Sequence, residues 1–196
     1  MSFKTAGDSM QTRAFGFTIA AFALVLWTGA ALAQSQPNLA PKTLPINAFF
    51  GAFSGAAVAE QSDTPGAKAT FRDTRLEIRP AGGGAFSVSW STTAPGSVSG
   101  KPKVKTTTVV FNPTPKPNVF EAAAQGNPVA GNDFIWARLN RQTLTVYAVT
   151  TQDDGRYELQ KWDRTLQGTG MQMIYTRMSD GEQSRVVRAR LVKDAR

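Results

Sequence analysis

The chain has 196 residues, a net charge of +8 and neither cysteine nor histidine. Without cysteine there is no disulfide framework, no thiol nucleophile and no lipid-anchored cysteine. Without histidine the commonest general base and metal ligand is missing. Serine–histidine and cysteine–histidine catalysis and histidine-bound zinc are therefore excluded, and we expect neither a metal nor a cofactor.

Residues 1–33 have the pattern of a cleavable secretory signal peptide. Two basic residues precede an apolar run over 14–27, and Ala31-Leu32-Ala33 forms a small-x-small cleavage site. The run is shorter than the roughly 20 residues of a membrane span, so a retained anchor is the weaker interpretation. Met10 is an alternative start. We expect an exported protein in the periplasm with no membrane span after cleavage; secretion or outer-membrane association is the alternative.

Residues 34–47 read as a flexible linker or arm that precedes the folded domain. Pro37, Pro41 and Pro45 recur every four residues, and little in this stretch is suited to packing. Proline-rich segments of this kind act as spacers. A proline-rich recognition motif is a weaker interpretation, because polyproline helices repeat every three residues.

From residue 48 onwards the chain alternates between apolar and polar positions, which is typical of half-buried β-strands. The clearest hairpin spans 72–91, where alternating strands flank a glycine-rich turn at 81–84. The segment 119–124 is either a short strand or one helical turn. Further strands are predicted at 103–111, 134–139, 143–151, 157–166, 171–178 and 184–193.

Short strands with a turn about every ten residues predict an all-β fold, an antiparallel up-and-down meander of eight to ten strands. We expect a single domain over 48–196, closed or nearly closed into a barrel, with a sandwich as the alternative. The strands also allow an outer-membrane barrel, but the charged C-terminal residues 192–196 disfavour that interpretation.

Two points of the sequence match a known barrel group. Gly51-Ala52-Phe53 opens the first strand, and Arg188 and Arg190 lie on the last strand. This layout resembles the calycins, which comprise lipocalins, fatty-acid-binding proteins and avidin-like barrels. In them a Gly-x-Trp begins the first strand, and a basic residue of the last strand packs across the ring. The resemblance implies that Gly51 and Phe53 take the first role, with phenylalanine for tryptophan, and that Arg188 or Arg190 closes the barrel.

A barrel of this size either fills its lumen with side chains or holds one small ligand. Arg138 and Arg177 each end an apolar row, where a guanidinium lies at the rim or binds a ligand carboxylate or phosphate. For the other candidates, a space-filling role is the alternative. The candidate lining residues are Trp90, Trp136, Tyr157, Met171, Met173 and Tyr175.

These observations favour a non-enzymatic binding protein for a small apolar or amphipathic, in some cases anionic, ligand. The alternative is an envelope interaction protein that binds a partner protein through its basic face or its proline-rich arm. An enzyme is disfavoured, because the carboxylate pairs Asp73/Glu77 and Asp153/Asp154 are explained by a strand and a turn. Nucleic acid is not expected as a partner, since no recognised binding motif is present.

Overall fold

The computed structural model describes residues 42–60, 70–94 and 103–195, and these form an antiparallel β-structure. Two 3₁₀ helices, Ile46–Phe49 and Pro128–Ala130, accompany the strands. The strands in the described ranges are β1 Gly51–Glu60, β2 Thr70–Gly82, β3 Ala85–Ala94, β4 Lys103–Pro113, β5 Val119–Ala122, β6 Phe134–Asn140, β7 Thr143–Thr151, β8 Tyr157–Gln167, β9 Gly170–Ser179 and β10 Glu182–Lys193.

Every strand pairs with its neighbours in chain order, and β1 pairs with β10, so the sheet closes into a barrel. This confirms the predicted all-β meander and its closure, and at a coarse level the architecture is consistent with a calycin-like barrel. The β1–β10 seam runs from the Phe53–Lys193 pair to the Glu60–Val186 pair. At Gly55 a Cβ atom would lie 2.2 Å from the Arg190 carbonyl oxygen, so the absence of a side chain lets the two strands approach.

The turns follow from local sequence chemistry. At the β9–β10 hairpin, Asp180 and Gly181 have φ angles of 48° and 86°. Two consecutive positive φ values match the twist of a hairpin, and Asp-Gly is among the pairs that adopt them most readily. The glycines of the β2–β3 turn, Gly82 to Gly84, likewise have positive φ. Both turns lie where the sequence predicts them.

One end of the barrel, here called the closed end, is filled by a packed apolar core. The 3₁₀ helix Ile46–Phe49 lies here, and Phe49 is fully buried. The Leu44 N–H donates to the Arg141 carbonyl at 2.7 Å, and the Arg141 N–H donates to Thr43 Oγ1 at 3.2 Å. The last residues of the predicted arm, 43–47, are therefore bound to the barrel. These hydrogen bonds and the burial of Phe49 both hold this segment against the closed end.

The barrel wall is thinnest at β5, which has four residues. β5 pairs with β4 only over Phe111–Pro113, and the Ala123 N–H that follows it donates to the Val110 carbonyl at 2.8 Å. In the described ranges, the residues of β4 before Val110 pair with β3 alone. The loop after β5 covers part of this gap. The Gln125 side chain accepts from the Ile135 N–H at 2.9 Å and donates to the Ile135 carbonyl at 2.6 Å, as a neighbouring strand would.

The signal prediction for 1–33, and the part of the arm up to residue 41, lie outside the described residues. Within the described ranges, no helix is long and apolar enough to cross a membrane.

Candidate ligand-binding site

The lumen contains a cavity of about 290 Å³ in the half of the barrel opposite the closed end. We call this half the mouth; β1 ends there and β2 begins. The cavity combines aromatic rings, small side chains, hydroxyl groups and cations, which suits a ligand that is apolar over most of its surface. The lining residues are Ala57, Ala59, Arg72, Thr74, Trp90, Thr92, Lys105, Gln160, Trp162, Met173, Tyr175, Arg185 and Val187.

Two tryptophans meet across the lumen and form the floor of the cavity. The ring centroids of Trp90 and Trp162 are 5.6 Å apart. Trp90 lies on β3 and Trp162 on β8, which are on opposite sides of the barrel, so their contact spans its width. Trp162 also contacts Tyr175 at 5.2 Å. Three aromatic rings thus separate the packed closed end from the cavity and offer it an apolar, polarisable surface.

A row of hydrogen bonds fixes the β8–β9 wall of the mouth. The Tyr175 hydroxyl donates to Gln160 Oε1 at 3.1 Å, and Gln160 Nε2 donates to Glu158 Oε1 at 2.7 Å. The Arg177 guanidinium donates to Glu158 Oε2 in an ion pair. Because each group positions the next, the polar edge of the cavity is held in place without a ligand.

Positive charge dominates the cavity. Arg72, Lys105 and Arg185 line it from β2, β4 and β10, and no carboxylate does so among the described residues. None of the three forms an ion pair with a described carboxylate. Glu158 is nearby, but its charge is balanced by Arg177. The cavity therefore has a positive potential that an anionic group would neutralise.

Arg164 lies directly below the floor and is fully buried. Its guanidinium carbon is 5.4 Å from the centre of the Trp90 ring, a cation–π contact. None of its three side-chain nitrogens has a hydrogen-bond partner among the described residues. Burial lowers the pKa of Arg164 to about 9, and the Asp163 carboxylate opposes that shift, so the side chain is still charged at neutral pH. A buried charge supported mainly by an aromatic face is costly to the fold.

The environment of Tyr175 gives a pH prediction. Burial raises the pKa of its hydroxyl above 10.0, Glu158 raises it further, and Arg177 and Arg185 partly offset the rise. We expect the tyrosinate absorption of the wild type minus that of Tyr175→Phe to develop above pH 10. Because the pKa is raised in the fold, the stability linked to this group is complete below pH 10 and is lost as the pH rises further. A difference titration centred at or below pH 10 would contradict this assignment.

Three of the predicted lining residues, Trp90, Met173 and Tyr175, line the cavity. Met171 does not: it is 1% exposed and packs in the core. The predicted lumenal position of Tyr157 is wrong, since its side chain is 44% exposed. On β8 the buried residue is Glu158, and every second residue after it, Gln160 and Trp162, also faces the lumen. The inward face of this strand is partly polar, which reverses the pattern read from the sequence.

The predicted lumenal position of Trp136 and Arg138 is also wrong. The buried residues of β6 are Ala137 and Leu139, so Trp136 and Arg138 lie on the outer wall. Trp136 stacks there on Tyr147 with centroids 4.8 Å apart. Both faces of β6 carry apolar residues, so alternation alone does not identify the inner one. Arg177 lies at the mouth, partly exposed, in its ion pair with Glu158.

The structure places Lys193, and neither Arg188 nor Arg190, beside the ring of Phe53. Phe53 is 1% exposed and in the core, and the Lys193 ammonium lies 5.7 Å from the centre of its ring. Arg188 and Arg190 are exposed on β10 and pair in register with Val58 and Ala56. The register places Lys193 directly opposite Phe53. A Cβ atom at Gly51, at the start of β1, would lie 2.7 Å from Lys193 Cε, so the glycine leaves room for the lysine side chain.

Sequence reasoning missed the residues that give the cavity its charge and half its floor. On β8 both faces mix polar with apolar or aromatic residues, so the alternation gives no signal for which face points into the lumen. The residues not predicted are Arg72, Lys105, Gln160, Trp162, Arg164 and Arg185. Within the described ranges, no group of three acidic side chains is placed to hold a metal ion.

No protein-family model matches the chain, and no curated protein matches it in sequence. Among solved structures it is similar to a protein of unknown function of the DUF3598 family from Nostoc punctiforme, with a TM-score of 0.54 and 19% identity over 78% of this chain. The match covers 50% of the Nostoc protein, so this chain spans about half its length. The chain is also similar to Rv2717c from M. tuberculosis, with a TM-score of 0.48 and 10% identity over 79% of this chain and 100% of that one. The likeness to the Nostoc protein shows the barrel fold alone.

Proposed function

We propose that the protein is a non-enzymatic binding protein, exported to the periplasm, whose barrel lumen holds a small apolar or amphipathic ligand. The observation that carries this proposal is the cavity on the mouth side of the floor formed by Trp90 and Trp162. Its volume of about 290 Å³ lies at the lower end of ligand sites in proteins. A ligand of two or three rings, or a short chain, fits such a space; a two-chain phospholipid does not.

The composition of the cavity supports binding over catalysis. In the described part of the chain its walls combine cations, amides, hydroxyls and aromatic rings without a carboxylate. The nearest buried carboxylate, Glu158, is held by Arg177 and Gln160. A carboxylate that is ion-paired and hydrogen-bonded in this way is poorly suited to take up a proton from a substrate.

Blocking the cavity tests the proposal with a neutral probe, N-phenyl-1-naphthylamine, which becomes fluorescent in apolar surroundings. We expect the wild type to bind it and Ala59→Trp, which places an indole in the cavity, to reduce the affinity at least about tenfold, the effect of losing roughly 1.4 kcal/mol. Ala56→Trp is the matched control, because Ala56 is exposed on the same strand. Equal binding by the two variants, or none by the wild type, would reject the lumen as the site.

A second candidate function, an envelope interaction protein, is favoured by an aromatic cluster on the outer wall. Phe134 is 40% exposed and lies 5.9 Å from Trp136, which stacks on Tyr147. Exposed apolar clusters on soluble proteins often mark binding surfaces for other proteins.

The interaction hypothesis is tested by cross-linking in intact envelopes. Phe134→Ser should abolish a cross-linked product that Val192→Ser retains, since Val192 is an exposed valine on the last strand. Deletion of 34–41 tests the proline-rich arm without removing Thr43 and Leu44, which bind the barrel. If no product depends on Phe134 or on the arm, this second function is rejected.

A further inference from the structure

The cations that line the cavity stand on three different strands. Arg72 on β2, Lys105 on β4 and Arg185 on β10 reach one cavity of about 290 Å³. Each belongs to the part of its strand nearest the mouth, two or three residues from the strand end. The aromatic floor of Trp90 and Trp162 lies deeper in the barrel. Charge and apolar surface are therefore separated along the barrel axis.

Like charges gathered around a small space repel one another, and in these three no described carboxylate offsets the repulsion. The acidic group beside the cavity, Glu158, is already paired with Arg177. An anion at the mouth would relieve the repulsion and receive charge-assisted hydrogen bonds, which are about twice as strong as neutral ones. The arrangement favours an organic anion over a neutral ligand.

We infer that the ligand is a small amphipathic organic anion, such as a carboxylate or sulfonate, whose charged group is held at the mouth by Arg72, Lys105 and Arg185 while its apolar body rests on the tryptophan floor. This inference rests on the proposed lumenal binding and adds the ligand class and its orientation. Arg164 does not take the charged group, because it lies below Trp90 and does not line the cavity.

A pair of probes with the same ring skeleton tests the inference. N-phenyl-1-naphthylamine is neutral, and 1-anilinonaphthalene-8-sulfonate carries a sulfonate on the same rings. We expect the wild type to bind the sulfonate at least about tenfold more tightly, the effect of one charge-assisted hydrogen bond. The preference should fall as salt is added, because Arg72, Lys105 and Arg185 are exposed and their charges are screened by salt. This salt measurement needs no variant.

The triple variant Arg72→Gln, Lys105→Gln, Arg185→Gln should lose the preference and keep its affinity for the neutral probe. The matched control is Arg75→Gln, Arg138→Gln, Arg190→Gln, which removes the same charge from exposed residues outside the cavity. Circular dichroism of both variants shows whether the barrel is retained. We expect the control to keep the preference of the wild type.

The outcomes separate this inference from the proposed function. If the wild type binds neither probe, lumenal binding itself fails. If it binds both with equal affinity, the lumen is a binding site but the ligand class is wrong. Two further results would also overturn the inference: an equal loss of preference in the control variant, or a preference that survives in the triple variant and disappears in Arg164→Met.

Discussion

Arg164→Met is expected to raise the free energy of unfolding by about 1–4 kcal/mol, the range seen when buried ion pairs are replaced by apolar side chains of similar size. Arg164 is fully buried, and its nitrogens have no hydrogen-bond partner among the described residues. Methionine fills much of the same space without a charge to desolvate. The loss of the cation–π contact with Trp90 offsets only part of this gain.

The pH dependence of this difference follows from the lowered pKa. Because the fold depresses the pKa of Arg164 to about 9, the destabilisation is complete below that pH and is relieved as the pH rises above it. The advantage of the methionine variant should therefore be greatest at neutral pH and shrink in alkaline solution. Urea unfolding of the wild type and the variant, at neutral pH and again above pH 9, measures this difference in stability.

A control for this experiment is Arg190→Met on the exposed face of β10, which should change the stability by no more than about 0.5 kcal/mol. A methionine variant at position 164 that is less stable than the wild type by 1 kcal/mol or more, on the scale of one lost hydrogen bond, would show that the guanidinium is well satisfied in the fold.

Phe86→Ala is expected to lower the free energy of unfolding by about 3–5 kcal/mol, the usual cost of emptying a buried phenylalanine site. Phe86 is fully buried in the core of the closed end. Its ring stacks on Phe111 with centroids 5.3 Å apart and meets Phe120 edge-on at 4.9 Å. Alanine removes these aromatic contacts together, and β-strands fixed by backbone pairing cannot readily collapse into the space.

The matched control is Phe134→Ala on the outer wall, where the ring is 40% exposed and about 1 kcal/mol or less should be lost. Chemical denaturation followed by tryptophan fluorescence compares the two variants. Equal losses would mean that the closed end is no better packed than the surface.

The fold was predictable because its signals are local and repeated. Strand-length segments separated by Gly- and Asp-rich turns specify a meander, as the Asp180-Gly181 turn shows. The closure between β1 and β10 follows once the last strand has an apolar face to bury, with Ala189 and Leu191 inside. The sequence does not decide the short β5, because four residues carry too little pattern to separate a strand from a helical turn.

The site was harder to predict, because the inner face of a ligand cavity is not uniformly apolar. On β8 the inward row contains Glu158, Gln160 and Arg164. Judged by polarity alone, this inner row would be assigned to the outer face of the barrel. The partner of Phe53 was missed for a different reason. Either arginine of β10 suits the pattern, and only the register across the seam shows that Lys193 faces the ring.

The edge of β4 that β5 leaves without a partner, in the described part of the barrel, bears on how the protein meets other copies of itself. Exposed strand edges can accept a strand from another chain, and Thr106 to Val109 have high β-propensity. Lys105 directly precedes this stretch on β4 and lines the cavity, so the edge strand carries an inward-pointing charge. Such charges are one of the means by which β-proteins prevent edge-to-edge aggregation. We therefore expect Lys105, which adds to the positive charge of the mouth, also to disfavour the addition of a strand from a second molecule.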